Sequence, residues 1–134
     1  MAIAVFDTNV CVSALVFARG RGIPTQALQK AVEQDVLVTS RETESELVRI
    51  LVVKFRWEPD RAAAELTRMF LRSRKVELQH TVKICRDPAD NMFLECAERA
   101  GADVLVSGDN DLLVLGSYEA TRIITAAEYV RGEW

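Results

Sequence analysis

The hydrophobic pattern of the chain alternates between short apolar runs and longer amphipathic stretches. The short runs predict buried strands at residues 2–6, 36–38, 76–79, 103–106 and 122–125. The amphipathic stretches predict helices at residues 8–18, 24–34, 40–53, 59–74 and 88–100, with a short apolar piece at 112–115 and a helical turn at 126–130. Gly20 and Gly22 break the first helix, Pro24 and Pro88 open two others, and Gly101 ends the one at 88–100.

Strands that alternate with helices are typical of right-handed crossovers between parallel strands. We therefore predict an α/β fold whose central, mainly parallel sheet of about five strands is flanked by helices on both faces. No linker or shift in composition divides the 134 residues, so a single domain spanning 1–134 is expected.

Composition narrows the class of protein. Hydrophobic residues make up 49% of the chain, which is enough for a real core. The apolar run at 1–6 ends at Asp7 without a basic leader, so we expect no signal peptide, no membrane partner and a cytoplasmic location. Three cysteines without a C-x-x-C pair and a single histidine argue against a zinc site and favour reduced thiols.

The charge of the chain is unevenly distributed. The net charge of −3 argues against a large nucleic-acid footprint. Residues 41–75, however, hold nine basic and six acidic side chains. This segment is either a solvated helical face or a surface that steers phosphates toward a neighbouring acidic site.

Carboxylates follow two of the predicted strands, at the edge where open α/β sheets gather functional groups. Asp7-Thr8-Asn9 comes directly after the first strand, and Ser107-Gly108-Asp109-Asn110-Asp111 follows the strand at 103–106. No lysine, histidine or cysteine joins these acids. The sequence therefore predicts a cluster of carboxylates at one edge of the sheet.

Each acid also has an ordinary structural explanation. Asp7 is suited to cap the first helix, and Asp87 and Asp90 fit a capping arrangement at the start of another. Asp109 and Asp111 are common turn formers. Capping requires no convergence of acids from different strands, whereas a metal site does, so the two strand-end groups together favour the metal site.

Periodicity does not decide which glutamate of the helix at 40–53 faces the sheet. Glu46 shares a helix face with Ile50, and Glu44 shares another with Val48. Either face is suited to turn toward the sheet, so the pattern alone does not choose between the two glutamates.

The ligand types indicate the chemistry. Carboxylates without thiolate or imidazole suit hard cations such as Mg²⁺ or Mn²⁺. Without an ion such carboxylates repel each other, and at least one is expected to have a raised pKa. A divalent ion relieves the repulsion, binds a phosphate oxygen and activates water, which makes phosphodiester hydrolysis the natural reaction.

The chain resembles the PIN-domain family over nearly its whole length. The matching motifs, in chain order, are Asp7-Thr8-Asn9, Ser45-Glu46-Leu47, Asp87-Pro88-Ala89-Asp90-Asn91 with Phe93-Leu94-Glu95-Cys96-Ala97, and Leu105 to Leu113. The last two motifs are similar to a subfamily of toxins from bacterial toxin–antitoxin pairs, of the VapC kind. The order of the motifs and their positions at strand ends make the resemblance specific.

The resemblance implies a Rossmann-like parallel sheet, one or two Mg²⁺ or Mn²⁺ ions and single-stranded RNA as substrate. The positions of the family's catalytic metal ligands are taken by Asp7, Glu46, Asp90 and Asp109. This correspondence selects Glu46 over Glu44, makes Asp111 a candidate fifth ligand and leaves Asp87 as a helix cap. The residues placed to support the site are Thr8, Asn9 and Ser107, the last of which replaces a more usual threonine.

The function expected from these residues is a metal-dependent endoribonuclease that is the toxin of a toxin–antitoxin pair. A homodimer and an inhibitory antitoxin are the implied protein partners. The alternatives are a housekeeping PIN nuclease for RNA processing or DNA flaps, and a catalytically silent binding module with the same fold. A phosphatase with Asp7 as nucleophile is less suited, because Asn9 stands where a second aspartate is usual.

Overall fold

The computed structural model describes residues 1–17 and 21–134 of the chain. The strands within these residues are β1 (Ile3–Phe6), β2 (Val36–Thr39), β3 (Arg74–Lys75), β4 (Val104–Val106), β5 (Ser117–Tyr118) and β6 (Thr121–Ile124). The helices are α1 (Thr8–Val12), α2 (Ile23–Gln34), α3 (Arg41–Val53), α4 (Pro59–Met69), α5 (Pro88–Ala100), α6 (Asn110–Leu115) and α7 (Ala126–Arg131). A π-helical turn, Ser13–Phe17, continues α1 directly.

The strands form one sheet in the order β3-β2-β1-β4-β6-β5. Every neighbouring pair is parallel except β5 and β6, which form an antiparallel hairpin. The predicted mainly parallel sheet is therefore confirmed, with six strands rather than about five. The extra strand is β5, whose two residues are too few to produce a recognisable apolar run.

Helices cover both faces of this sheet, and alternate residues of each strand supply the two cores. Helices α1, α2, α3, α4 and α7 pack on the face to which β1 contributes Ala4 and Phe6. Helices α5 and α6 pack on the other face, to which β1 contributes Val5. Because the central strands are covered on both sides, their sequences read as continuous apolar runs rather than as an alternating pattern.

The prediction of a strand at 76–79 was wrong. The strand in this region is β3, which pairs with the end of β2, and α4 ends at Met69 rather than at residue 74. The Val76 N–H still bonds the Thr39 carbonyl at 3.0 Å. Beyond it the chain leaves the sheet, because the N–H groups of residues 79–82 donate to the Glu95 carboxylate instead.

Two sequence predictions fall partly on residues 18–20. The predicted end of the first helix at Ala18 and the break at Gly20 lie outside the described residues. Within residues 1–17 and 21–134, no helix has the length and apolar character needed to cross a membrane.

The order in which the chain adds strands to the sheet reverses at β1, and the candidate site lies at this reversal. The chain adds β2 and β3 on one side of β1 and then crosses over through α5 to add β4 on the other. Phe6 of β1 is in register with Val106 of β4, so the residues that follow them leave the sheet side by side. Ligand sites of open α/β sheets lie at such a reversal, beyond the carboxyl ends of the strands.

Candidate metal centre

Asp7 is the first residue after β1, and its side chain is buried at 3% exposure. Its backbone N–H bonds the Val106 carbonyl at 3.0 Å, which ties it to the neighbouring strand. Its carboxylate accepts the Val10 N–H at 3.0 Å and so caps α1. Burial raises the pKa of Asp7; hydrogen bonds from Ser107, Val10 and Gly108 oppose the rise, and the charge of Asp109 adds to it.

Ser107 joins the two strand-end groups. It is fully buried, and its hydroxyl donates to the Asp7 carboxylate while accepting the Asp109 N–H at 3.0 Å. One hydroxyl therefore connects the acid that follows β1 with the acid that follows β4. A serine satisfies this geometry because the contact needs only the hydroxyl.

Three further aspartates form a compact group. Asp90 lies in the first turn of α5, Asp109 caps α6, and Asp111 lies in the first turn of α6. Each offers a carboxylate oxygen, and these oxygens all lie within 4.8 Å of one another. Asp90 and Asp109 are half-buried and Asp111 is exposed, so the group opens to solvent.

Asp90 carries the clearest electrostatic sign of this crowding. Its pKa is raised from 3.8 to about 7, first by burial and then by a hydrogen bond to Asp109 and the charges of Asp109, Asp87 and Asp7. Neighbouring carboxylates cannot all be ionised at low cost in one place without a compensating cation. Asp7 and Asp87 therefore lie close enough to belong to the same electrostatic unit as Asp90 and Asp109.

The two glutamates of α3 lie apart from this group of aspartates. Glu44 is paired with Lys75 at 2.6 Å, toward the β3 edge of the sheet. Glu46 accepts two hydrogen bonds from Arg49, at 2.8 and 3.1 Å. Glu46 is the main cause that raises the pKa of Arg49, and the charge of Asp87 adds to the rise, so the Arg49–Glu46 pair lies within electrostatic reach of the start of α5.

The supporting residues have distinct places. Thr8 and Asn9 begin α1 and, with Ser107 and Gly108, line a groove of about 780 Å³ beside the acids. Asp87 caps α5 by accepting the Ala89 N–H at 3.0 Å, in agreement with its expected structural role.

Three residues with strong contacts here were missed by the reasoning from sequence. Arg86 bonds both oxygens of Asp111, at 2.8 and 3.0 Å. Asn91 accepts the N–H groups of Ile84 and Cys85, at 3.0 and 2.8 Å. Glu95 accepts four backbone N–H groups. The signal that was available for Glu95 is an acid inside an otherwise apolar helix face.

The donor set fits a hard divalent cation. The ligand types are carboxylate and hydroxyl oxygens, which Mg²⁺ and Mn²⁺ prefer. Burial first, and then the neighbouring carboxyl groups, raise the pKa of Asp90, and a bound ion would favour its charged form. Capping and metal binding are compatible here, because a carboxylate that accepts one N–H keeps further lone pairs for an ion.

Comparisons with known proteins identify the family and the fold. A family model described as PIN domain matches residues 4–111. No curated protein matches the sequence closely enough to count as a relative. A crystal structure of VapBC2 from Rickettsia felis, bound to a DNA fragment from their promoter, is similar, with a TM-score of 0.63 and 14% identity over 90% of this chain and 96% of that one. At that identity the likeness concerns the fold.

Proposed function

The chain belongs to the PIN domain family, and from this premise we propose that it is a metal-dependent endoribonuclease that cleaves single-stranded RNA. The reaction is attack of water on a phosphodiester bond. The observation that carries the proposal is the convergence of Asp90, Asp109 and Asp111, whose carboxylate oxygens lie within 4.8 Å of one another, with Asp7 connected to Asp109 through Ser107. Helix capping explains each acid singly but gives no reason for their crowding.

The ion would be held by Asp7, Asp90 and Asp109, with Glu46 and Asp111 as further candidate ligands. When bound, a Mg²⁺ or Mn²⁺ ion supplies Lewis acidity and a water of lowered pKa at neutral pH. Glu46 and Asp111 are each paired with an arginine, Arg49 and Arg86, so either one joins the ion only by releasing or sharing that partner.

The protein's own groups fix the geometry of the site. Ser107 holds the Asp7 carboxylate in one orientation and at the same time holds the backbone of Asp109. Both acids stand on a rigid sheet edge, which keeps their separation constant during the reaction. The groove beside Thr8 and Asn9 gives an RNA strand a place to lie next to the acids.

The proposed biological role is that of the toxin in a toxin–antitoxin pair, acting in the cytoplasm. Its support is the resemblance of the motifs around Asp90 and Asp109 to VapC-type toxins and the similarity of the fold to a VapBC structure. An inhibitory antitoxin and a second copy of this chain are the proposed protein partners. Induced expression in a bacterial host tests the role: growth arrest supports it, and normal growth with active protein contradicts it.

The nuclease proposal is tested with purified protein and a fluorescent single-stranded RNA. Cleavage is expected with Mn²⁺ or Mg²⁺ and is expected to stop with EDTA. Asp7→Asn is the matched variant, because asparagine caps a helix as well as aspartate does but does not supply the charge. Equal cleavage by wild type and Asp7→Asn would identify a contaminating nuclease and refute the proposal.

A further inference from the structure

Arg86 is an exposed cation that lies at the mouth of the acidic group. It belongs to the segment between β3 and α5, and its Nη2 bonds both carboxylate oxygens of Asp111, at 2.8 and 3.0 Å. Asp111 in turn lies within 4.8 Å of Asp90 and Asp109. In the part of the chain that the structure describes, Arg86 is the one cation that forms an ion pair with an acid of this group.

Stability does not account for this ion pair. The Arg86 side chain is 86% exposed and that of Asp111 is 44% exposed, and pairs so open to water add little to stability. The Arg49–Glu46 pair is different, because residues three apart on one helix meet without any special arrangement. Arg86 and Asp111 are 25 residues apart and come from different segments.

The backbone around Arg86 is held in place on both sides. The Asn91 side chain accepts the N–H groups of Ile84 and Cys85, which immediately precede Arg86. Asp87, which immediately follows it, caps α5. A fixed backbone limits the positions that the exposed Arg86 side chain can reach, as is expected of a preorganised ligand-binding group.

The free donors of Arg86 match a phosphate. Within the described residues only Nη2 is hydrogen-bonded, so the Nε and Nη1 hydrogens remain available. The free Nε–H and Nη1–H₂ groups point along different edges of the guanidinium plane, so each can donate a charge-assisted hydrogen bond to a phosphate oxygen. A phosphodiester that approaches Asp90, Asp109 and Asp111 meets like charge, and a cation at the rim offsets the repulsion.

We propose that Arg86 binds a phosphate of the RNA strand beside the bond that is cut, while Asp111 orients the guanidinium. This inference rests on the proposed nuclease function and adds a substrate-binding residue outside the acidic group. Asn91 then acts as a positioning residue, because it fixes the backbone from which Arg86 extends.

The test compares cleavage kinetics of full-length wild type, Arg86→Ala, Arg86→Lys and Arg99→Ala at saturating Mn²⁺ over a range of salt concentrations. Arg99 is the control: it is exposed and lies in the last turn of α5, at the opposite end of that helix from Asp90. We expect Arg86→Ala to raise KM by about tenfold, as for the loss of one hydrogen bond to a charged group. The slope of log(1/KM) against log[salt] should become shallower by about 0.7, as for one lost phosphate contact to a single strand.

The conservative variant and the metal affinity separate binding from other roles. Arg86→Lys should keep the wild-type salt slope and recover part of the loss in KM, because lysine retains the charge but cannot bond Asp111 and a phosphate through separate, fixed donors. Mn²⁺ affinity, measured by calorimetry, should be unchanged or tighter in Arg86→Ala, since a competing cation is removed.

The inference is overturned if Arg86→Ala and Arg99→Ala have the same KM and salt slope, or if only Mn²⁺ affinity changes. In that case the nuclease function stands. If wild-type protein binds Mn²⁺ but neither binds nor cleaves single-stranded RNA, the nuclease proposal fails and the role of Arg86 fails with it.

Discussion

Two carboxyl groups of helix α5, those of Glu95 and Asp90, have opposite environments. Glu95, buried at 3% exposure in α5, accepts the N–H groups of four consecutive residues: Gln79, His80, Thr81 and Val82. Burial alone would raise its pKa, but these donors outweigh burial and lower the pKa. Asp90, one and a half turns earlier on the same helix, faces other carboxylates and has its pKa raised to about 7.

The contrast distinguishes an acid held by backbone donors from an acid crowded by other carboxylates. The four N–H groups converge on Glu95 because His80 adopts a left-handed conformation with φ of 60°. That arrangement uses the charge of Glu95 fully and leaves none for an ion. At the sheet edge the neighbours of Asp90 include the carboxylates of Asp109 and Asp87, whose repulsion a bound cation would relieve.

The largest expected effect is the loss of activity in Asp7→Asn. We expect cleavage of single-stranded RNA to fall by about 100-fold or more, since a ligand charge is removed from the site. Folding stability should change by less than about 1 kcal/mol, because asparagine keeps the cap of α1 and removes a buried charge, while its NH₂ group loses one of the hydrogen bonds that the carboxylate accepts. Steady-state kinetics and urea denaturation measure the two effects. Loss of stability in parallel with activity would show that Asp7 is a structural acid like Glu95.

Glu95→Gln should show the opposite behaviour. The amide keeps one acceptor oxygen but directs an NH₂ group at backbone donors, so about 3 kcal/mol of stability should be lost. Urea denaturation measures this, and Glu98→Gln is the exposed control on the same helix. A loss below about 0.5 kcal/mol would mean that the four hydrogen bonds do not hold residues 79–82 to α5.

Metal binding should stabilise the protein through the aspartates of the site and not through Glu95. At a Mn²⁺ concentration near one hundred times Kd the gain is about 2.7 kcal/mol, or roughly 10 °C in Tm for a domain of this size. Thermal unfolding with and without EDTA measures it. The gain should disappear in Asp90→Asn and persist in Glu95→Gln. Equal stabilisation of Asp90→Asn would place the ion elsewhere.

The two acids also predict opposite dependences of stability on pH without metal. Between pH 3.8 and about 7, Asp90 stays protonated in the folded protein but is ionised in the unfolded chain. The free energy of unfolding therefore falls as pH rises through this range. Glu95, with a lowered pKa, contributes above pH 4.5 and loses its contribution as pH falls below that value. Between about pH 5 and about pH 8 in EDTA, wild type should lose about 1 to 2 kcal/mol that Asp90→Asn retains, with allowance for the partial exposure of Asp90. Identical pH profiles for the two proteins would refute this assignment.

The smallest expected effect concerns the glutamates of α3. If Glu46 shares in the site, Glu46→Gln should lower kcat about tenfold at moderate Mn²⁺, while Glu44→Gln should leave kcat unchanged. Glu44→Gln is a suitable control for Glu46→Gln, because each of the two glutamates forms an ion pair with a basic side chain. Equal kcat values for the two variants would group Glu46 with Glu95 as a structural acid.

The sheet and the strand-end positions of Asp7 and Ser107 could be predicted because strand periodicity and parallel order leave few arrangements. The contacts of residues 76–87 could not be predicted. Val76 and Leu78 alternate as in a strand. The chain nevertheless leaves the sheet, because the Glu95 carboxylate, sixteen positions after Gln79, accepts the Gln79 N–H. The pairing of Arg86 with Asp111 likewise depends on a loop conformation that no local pattern encodes.

We propose above all that Asp7, Asp90 and Asp109 hold one functional cation. A crystal of the protein soaked in Mn²⁺ and measured at the manganese absorption edge tests this claim directly. We expect an anomalous peak within coordination distance of these three carboxylates, about 2.0 to 2.3 Å from their oxygens. Well-ordered aspartates without such a peak, or a peak elsewhere on the molecule, would contradict it.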